Sequence, residues 1–334
     1  MSELSEKRAK RDAILAAKKA GTLPYTDIIV EKKDSIGIIT INRPSTRNAL
    51  TEMAGGTCDQ LAQAFQSMAD DPEMRAFIVK GAGDCFCSGF DLSAFDEAQW
   101  VPREGLAKGR EEEPWAALSM GFPDNPESSW PVPYWWHELW DNPKPSIALV
   151  HSYCIGAGLW LVNLCDIVYA SPEAVFAYPP IRYGAPLTPV ILPPWLLGLR
   201  KTMDMALTSR FITAQEAYDC GLITKIVPED KLEEEGWKTA ESISKVPPMT
   251  NYFSKMIAHH YFEGLGIKSE MDFGTLACFM MEHCSLPGHY LEFFDRVRKL
   301  GVSQAVKEQR EKWGYPDEVL QRESARLKAK RGAK

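Results

Sequence analysis

Two short glycine-bearing stretches hold the residues of this chain that are best suited to chemistry. They are CFCSGFDL, from Cys85 to Leu92, and CIGAGLWLVNLCD, from Cys154 to Asp166. Glycine removes side-chain bulk where a ligand oxygen approaches the main chain, and a backbone NH aimed at that oxygen stabilises developing negative charge. Because the two stretches share this property, they predict an oxyanion hole assembled from two loops.

Segments typical of buried strands precede both stretches. Ala76 to Val79 runs towards the first, and Ser146 to Val150 precedes the second. Earlier in the chain, Ile28 to Val30 and Ile36 to Ile41 predict a hairpin, and a helix is expected from just after Leu50 to about Ala69. Strands, loops and helices therefore alternate, which is typical of an α/β fold.

The second half of the chain continues this alternation and then becomes helical. Leu159 to Leu164 predicts a helix, and Ile167 to Ala170 predicts a strand. Beyond Lys201, helices are predicted over Met205 to Leu207, Ala214 to Cys220, Lys231 to Ser244, Thr250 to Tyr261 and Glu292 to Lys312.

The composition argues against several classes of partner. The net charge is −7 over 334 residues and the basic residues are spread along the chain, which argues against a nucleic-acid partner. No apolar run approaches the roughly 20 residues of a membrane helix, and the N-terminus lacks the apolar core of a secretory signal. We therefore expect a cytoplasmic protein without a membrane partner. The eight cysteines form no CxxC pair, so we expect reduced thiols and no metal.

The chain divides into four parts. Residues 1–24 are predicted to form a helical extension, 25–200 an α/β core, 201–320 a helical region and 321–334 a basic tail that frays. An insertion at about 93–143 interrupts the core and holds six of the ten tryptophans. Since burial of tryptophan is strongly favourable, this insertion is predicted to be a lid or wall, with a subunit contact as the alternative.

Five segments, in this order, carry a resemblance to the crotonase superfamily, the enoyl-CoA hydratase/isomerase group. They are Ile38 to Leu50, Gly81 to Leu92, Asn142 to Ala170, Thr213 to Pro228 and Ser242 to Lys255. The resemblance implies an α/β fold with a crotonase-like repeated ββα core and a helical C-terminal region that mediates trimerisation. It also implies a homotrimer or homohexamer, an acyl-CoA thioester as substrate, and no cofactor besides the coenzyme A of that substrate.

The resemblance assigns roles to individual residues. It places the two NH donors of the hole at Phe90 and Ala157, and it places Arg47, Lys255 and Lys307 where a basic side chain can meet the CoA phosphates. The remaining candidate substrate contacts lie in the two loops or near the expected acid and base positions. They are Gly89, Asp91, Gly156, Gly158, Trp160, Pro180 and Tyr183.

The carboxylates that hydratases of this superfamily use as acid and base are absent from the matching positions. Trp160 stands at the first glutamate position and Pro180 at the second, while Thr188 stands near a third position where some relatives have an aspartate. None of these side chains is a competent base at neutral pH. Ser152 also stands where relatives usually have glycine, and we expect it to shift the second loop.

Three hypotheses for the chemistry remain open. In the first, other groups move protons in a lyase, isomerase, decarboxylase or C–C cleaving reaction, with Tyr178 and His151 as the main candidates. Further candidates are Tyr153, Tyr183, His137, Glu138 and Asp141. In the second, the hole alone stabilises an enolate while water or the substrate moves protons. In the third, the chain is a non-catalytic acyl-CoA binding subunit.

The tryptophans give one indication of the substrate. Trp160 in place of a glutamate adds an aromatic face near the reacting carbon, and the tryptophan-rich insertion could line an apolar pocket. We therefore expect a bulky acyl group, either alicyclic or aromatic.

Overall fold

The computed structural model describes residues 13–14, 16–17, 19–51, 55–93, 137–183, 194–271, 273–274, 287–313 and 317–332. The nine strands within these ranges are β1 (Ile28–Lys33), β2 (Ile36–Ile41), β3 (Ala76–Gly81), β4 (Ser146–Val150), β5 (Tyr153–Ile155), β6 (Ile167–Ala170), β7 (Val175–Ala177), β8 (Ile212–Thr213) and β9 (Lys225–Ile226). The predicted strands are confirmed, because each predicted run falls within one of these elements.

The main sheet has six strands in the order β1-β2-β3-β4-β6-β9. The predicted hairpin is its antiparallel edge, and its turn places Asp34 in the left-handed region with φ 54°. From β2 to β9 all neighbouring strands are parallel. Since parallel strands end at one edge of a sheet, the two glycine-bearing stretches, which follow β3 and β4, leave the sheet on the same side.

A second sheet of three short strands, in the order β5-β7-β8, lies beyond that edge. Strand β5 is parallel to β7, with Tyr153 opposite Val175 and Ile155 opposite Ala177. The chain therefore passes from β4 into β5 around a corner at 151–152, and β5 leads directly into the second loop.

The longer helices surround these sheets. The labelled helices are α1 (Thr57–Asp70), α2 (Ala157–Leu164), α3 (Pro194–Leu197), α4 (Leu199–Thr208), α5 (Ala214–Asp219), α6 (Leu232–Ser244), α7 (Pro248–Gly264), α8 (Pro287–Leu300), α9 (Val302–Trp313) and α10 (Glu318–Gly332). The architecture is α/β with a helical C-terminal region, as expected. Among the described residues, none of the helices combines the length and the apolar character needed to cross a membrane.

Two helical predictions were wrong in their bounds. The first helix begins at Thr57 rather than just after Leu50, because Leu50 is extended and donates its NH to the carbonyl of Gly89 at 2.8 Å. The run from Glu292 to Lys312 is two helices, because Gly301 takes a φ of 79° between them and a left-handed residue ends a helix.

The predicted fraying of the basic tail was also wrong for the residues that the structure describes. Residues up to Gly332 belong to α10, which buries Glu323 and Leu327. Leu327 packs in a cluster with Tyr153 and Val175 of the second sheet. Burial of a leucine contributes about 1.5–3 kcal/mol, so this contact offsets the fraying expected of a charged terminus.

Candidate active site

The two glycine-bearing loops are held together by a short parallel bridge between Cys87 and Cys154. The NH of Cys87 donates to the carbonyl of Tyr153 at 2.9 Å, and the NH of Ile155 donates to the carbonyl of Cys87 at 3.0 Å. Both cysteines are fully buried, and burial raises the pKa of the Cys87 thiol to about 12. The bridge therefore places the residues that follow it, on both loops, side by side.

Glycine is required on each loop for a specific steric reason. Gly89 has a φ of 104°, and a Cβ on it would lie 3.2 Å from the carbonyl oxygen of Ile155. Gly156 has a φ of 53°, and a Cβ on it would lie 3.6 Å from the Cα of Gly89. A Cβ on Gly158 would lie 3.0 Å from the Cβ of Cys87, so this glycine lets α2 pack on the first loop. The three glycines thus permit the close approach of the loops.

The amides of Phe90 and Ala157 have no hydrogen-bond acceptor among the described residues, whereas the amides beside them do. The NH of Asp91 donates to the carbonyl of Leu50 at 2.8 Å, and the NH of Gly156 donates to the carbonyl of Ala177 at 2.9 Å. Ala157 is the first residue of α2, where an amide has no partner within the helix and the helix dipole is positive. This pair of amides can therefore stabilise an oxyanion.

Trp160 packs beside this pair of amides. Its ring meets the ring of Phe90 edge to face, with the ring centroids 5.0 Å apart and the planes at 70°. The Trp160 side chain is only 4 % exposed. A buried indole therefore fills the position at which the resemblance implies a glutamate.

Pro180, at the second expected carboxylate position, lies in a 3-10 helix over Pro179–Tyr183 and is half-buried. This helix is tied to the C-terminal region, because Arg182 forms a buried ion pair with Asp317 at 3.0 Å. The side chain of Tyr183 and all of Thr188 lie outside the described residues, so the structure places neither of these candidates.

Tyr178 directly follows β7, whose last residue, Ala177, accepts the hydrogen bond from Gly156. Its side chain is 1 % exposed and belongs to the core cluster that also contains Ala157 and Trp160. The structure therefore brings Tyr178 to the second loop.

His151 lies away from the amides of Phe90 and Ala157. It precedes β5, while Ala157 follows that strand, and the three strand residues between them span about 10 Å. The His151 ring nitrogen Nε2 is 3.1 Å from the carbonyl oxygen of Gly83, and burial lowers the pKa of His151. Tyr153 is engaged by α10, since its hydroxyl donates to Ser324 Oγ at 3.2 Å. The assignment of His151 as acid or base at the hole is therefore corrected.

The candidates before β4 lie at the opposite edge of the sheet from the loops. Asp141 pairs with Lys268 at 2.8 Å, and burial, with help from Asp141, raises the pKa of Glu138. Trp140 stacks on His259, with centroids 3.9 Å apart. The segment enters β4 at its amino-terminal end, so His137, Glu138 and Asp141 do not flank the two amides. Trp100, Trp115, Trp130, Trp135 and Trp136 lie outside the described residues.

Lys255 is also at that far edge, which corrects its assignment as a substrate contact. Its side chain is 8 % exposed, and its ammonium group pairs with Asp166 at 2.8 Å. Asp166 accepts hydrogen bonds from the amide and hydroxyl of Ser146, the first residue of β4, both at 2.8 Å. Lys255 therefore fixes the amino-terminal edge of the sheet and does not reach the loops.

Two further predicted contacts border the first loop. Arg47 is exposed, with its guanidinium 5.6 Å from the centre of the Tyr153 ring, and its carbonyl accepts from the NH of Ser88 at 3.1 Å. Asp91 is buried and pairs with Arg43 at 2.9 Å. Burial opposes its ionisation, but hydrogen bonds from Ser93 and Arg43 hold the pKa of Asp91 below its ordinary value. Arg47 can meet a substrate, whereas Asp91 is occupied by the protein.

The sequence analysis missed Asn48, which supports the first loop. Its side-chain amide donates to the carbonyls of Ala82 and Cys85, both at 2.8 Å, and its own backbone takes a φ of 55°. An asparagine in the middle of Ile38 to Leu50 is a signal that could have indicated it, because asparagine tolerates the left-handed region and bonds to nearby main chain. In the described part of the chain, no group of three or more His, Cys, Asp or Glu residues could hold a metal ion.

Comparison with known proteins agrees with this geometry. Residues 31–121 and 124–274 match the enoyl-CoA hydratase/isomerase family. The chain is 29 % identical over 266 residues to the mitochondrial enoyl-CoA hydratase of Pongo abelii, an alignment that covers 75 % of this chain and 80 % of that protein. It is 31 % identical over 263 residues to enoyl-CoA delta isomerase 2 of Rattus norvegicus, covering 77 % of this chain and 61 % of that one.

A crystal structure of an enoyl-CoA hydratase/isomerase from Xanthobacter autotrophicus Py2 has the same fold, with a TM-score of 0.72 and 25 % identity. The match covers 88 % of this chain and 100 % of that one. On the family match, these relatives and the fold, this chain belongs to the enoyl-CoA hydratase/isomerase family of the crotonase superfamily.

Proposed function

We propose that this protein is an acyl-CoA enzyme that binds the thioester carbonyl of its substrate at the amides of Phe90 and Ala157 and stabilises the enolate formed there. The observation that carries the proposal is that neither amide has an acceptor among the described residues, while the loops that bear them are joined by the bridge between Cys87 and Cys154. In an enolate the thioester oxygen carries negative charge, and two preorganised NH donors stabilise it by several kcal/mol.

We propose a reaction other than the hydration that uses two carboxylates, because the resemblance places Trp160 and Pro180 at the positions of those groups. We assign the proton transfer to Tyr178, which directly follows Ala177, the residue whose carbonyl accepts the hydrogen bond from Gly156. A phenol can donate a proton to a carbanion or enolate during a lyase or isomerase reaction.

The substrate that this site fits is a bulky acyl-CoA with an alicyclic or aromatic group. The edge of Trp160 and the ring of Phe90 form an aromatic surface beside the two amides, and such a surface favours burial of a ring over a short chain. Arg47, exposed next to the first loop, supplies positive charge for the phosphates of coenzyme A.

Assembly into trimers, alone or in pairs, is also part of the proposal. Helix α7 exposes a row of large apolar side chains, Met249, Phe253, Met256, Ile257 and Tyr261. Exposed apolar patches of this kind mark surfaces that another chain covers. Light scattering on the purified protein would test this part, and a monomer at micromolar concentration would contradict it.

The test of the function compares crotonyl-CoA with cyclohex-1-ene-1-carbonyl-CoA and benzoyl-CoA on the purified protein. Calorimetry measures binding, and mass spectrometry in deuterated water measures hydration, cleavage and incorporation of deuterium. We expect tighter binding of the ring-bearing thioesters and a change in mass for at least one of them. A clear preference for the crotonyl group would contradict the bulky substrate, and binding without any reaction would instead favour a non-catalytic acyl-CoA binding subunit.

A further inference from the structure

The corner between β4 and β5 contains a serine in a conformation that favours glycine. Ser152 has a φ of 57° and is completely buried. Its carbonyl accepts a hydrogen bond from the NH of Val175 at 2.8 Å, which starts the pairing of β5 with β7. Glycine could form this corner without backbone strain. We therefore expect an interaction of the serine side chain that offsets the strain of the positive φ.

The Ser152 hydroxyl bonds to a buried carboxylate of the C-terminal helix. It donates to Glu323 Oε1 at 2.5 Å, and Glu323 is only 3 % exposed. Arg326, one turn further along α10, holds the same carboxylate through Nε at 2.7 Å and Nη2 at 2.8 Å. A charge-assisted hydrogen bond between buried groups is strong and directional, so it fixes the distance between α10 and the corner.

The carboxylate is part of a longer chain of charges. Arg326 Nη1 also donates to Glu229 at 3.1 Å, and Lys330 donates to the other oxygen of Glu229 at 2.6 Å. Glu229 lies in the 3-10 helix Glu229–Lys231, just after the last strand of the main sheet. The Glu323 carboxylate is therefore anchored to the body of the protein and does not move freely with α10.

Tyr153, the residue after Ser152, makes a second contact with α10. Its hydroxyl donates a hydrogen bond to Ser324 Oγ at 3.2 Å. Strand β5 has only three residues, and it leads into Gly156 and Ala157. At its far end the strand is held by the bond from Ile155 to Cys87. Helix α10 therefore holds β5 at its beginning, while the first loop holds it at its end.

We infer that Ser152 and Glu323 are positioning residues: through their hydrogen bond, the C-terminal helix sets the place of the Ala157 amide in the oxyanion hole. The inference rests on the proposed function, because it concerns the same hole. It explains why a strained serine occupies the corner, since a glycine would leave the buried carboxylate of Glu323 without this donor.

Three variants separate this role from general stability. Ser152→Gly removes the hydroxyl and adopts the observed φ without strain, so the variant keeps its fold. Glu323→Gln keeps an oxygen that can accept from Ser152 but loses the charge that Arg326 orients. Arg322→Ala is the matched control, because Arg322 is exposed on the same helix and the structure gives it no ion pair among the described residues.

The first measurement is the infrared stretching frequency of the thioester carbonyl in cyclohexanecarbonyl-CoA carrying ¹³C at that carbon. The unaltered protein is expected to lower this frequency relative to the free thioester, because two NH donors polarise the bond. Ser152→Gly is expected to lose roughly half of that shift or more, Glu323→Gln to lose part of it, and Arg322→Ala to keep it.

The second measurement needs no ligand. Hydrogen exchange of the peptide that spans Tyr153 to Trp160 is expected to be about tenfold faster in Ser152→Gly than in the unaltered protein. If Ser152→Gly keeps both the carbonyl shift and the slow exchange, the positioning role is wrong while the hole stands. If the unaltered protein binds the thioester and leaves its carbonyl frequency unchanged, the hole itself is wrong, and the positioning role falls with it.

Discussion

The rings of Trp160 and Phe90 pack edge to face, with centroids 5.0 Å apart, beside the two amides for which the described part of the chain offers no acceptor. Phe90 supplies one of those amides, so a single contact joins the candidate hole to the residue that replaces the first expected carboxylate. At the position where the resemblance implies an acid or base, Trp160 is proposed to form a wall of the substrate site.

Replacing this wall is expected to change both stability and substrate preference. Trp160→Ala should lower the free energy of unfolding by about 3–5 kcal/mol, since it removes a large buried ring and leaves a cavity. It should also weaken the preference for ring-bearing over short acyl-CoA. Urea unfolding and competitive binding measure the two effects. Trp237→Ala, at a half-buried site on α6, is the control that should leave the preference unchanged.

The amide of Ala157 can be deleted without changing the side chains around it. Proline is tolerated at the first position of a helix and has no NH, so Ala157→Pro removes the proposed donor while α2 can still form. We expect turnover of the best acyl-CoA substrate to fall about 100- to 1,000-fold. Ala157→Ser keeps the NH and should retain most of the activity. Equal activity of the two variants would remove Ala157 from the hole.

Tyr178 is the proposed proton donor, because it directly follows Ala177, whose carbonyl accepts the hydrogen bond from Gly156. Tyr178→Phe keeps the ring and removes the hydroxyl, so we expect a loss of turnover of about 100-fold with acyl-CoA affinity nearly unchanged. Tyr169→Phe is the control, since its hydroxyl lies 3.0 Å from Thr239 Oγ1 on the other side of the sheet. Full activity of Tyr178→Phe would show that another group moves the proton.

The ion pair between Arg182 and Asp317 is expected to contribute much of the free energy that holds the C-terminal helices on the core. The Asp317 side chain is fully buried, and Arg310 also donates to it at 3.1 Å. Asp317→Ala leaves a buried guanidinium without its carboxylate, which costs about 3–5 kcal/mol of unfolding free energy. Glu235→Ala, which breaks an exposed pair with Lys225, should have little effect in the same thermal unfolding experiment.

Acid should destabilise the protein through Asp166. Burial opposes ionisation of this carboxyl, but the Lys255 ammonium and hydrogen bonds from His259 and Ser146 hold its pKa well below the ordinary value. A carboxyl whose pKa falls on folding adds stability above its unfolded pKa, and this stability is lost as the pH falls towards the folded pKa. The free energy of unfolding should therefore decline below about pH 4.

Lys255→Met tests the source of that pH dependence. It removes the main charge that lowers the pKa of Asp166, so we expect lower stability at neutral pH and a shallower decline in acid. Urea unfolding between about pH 3 and pH 7 measures both. Lys225→Met removes an exposed lysine and should leave the acid decline as steep as in the unaltered protein; an equal flattening in both variants would contradict the role of Lys255.

The five longer strands and the two loops were predictable because their signals are local, whereas β5, β7, β8 and β9, with two or three residues each, were not predicted. Short, mostly apolar runs such as Ser146 to Val150 favour buried strands, and Gly89 and Gly156 lie where the main chain takes a positive φ. The start of the first helix was not predictable, because Leu50 forms a parallel bridge with Phe90, which is 40 residues away in the sequence.

The residues that differ most from the sequence analysis are the charged and titratable ones. Lys255 and Asp141 have side chains that suit a substrate or a proton, but each is held by an ion pair at the far edge of the sheet. Residue type alone does not show whether a charge faces a ligand or a partner within the fold. The bond between Ser152 and Glu323 spans 171 residues, so no local pattern indicates it.

The sequence by itself determined the family, the order of the longer strands along the chain and the two glycine loops, because each of these is encoded in neighbouring residues. The tertiary structure decided which side chains accompany the loops. It placed Tyr178 directly after the residue that bonds to Gly156 and placed Trp160 against Phe90, held His151 and Lys255 away from the two amides, and attached the C-terminal helix to the corner before β5. These outcomes depend on which distant strands and helices pack together. Such packing is determined by apolar contacts throughout the chain and not by the sequence of any one segment.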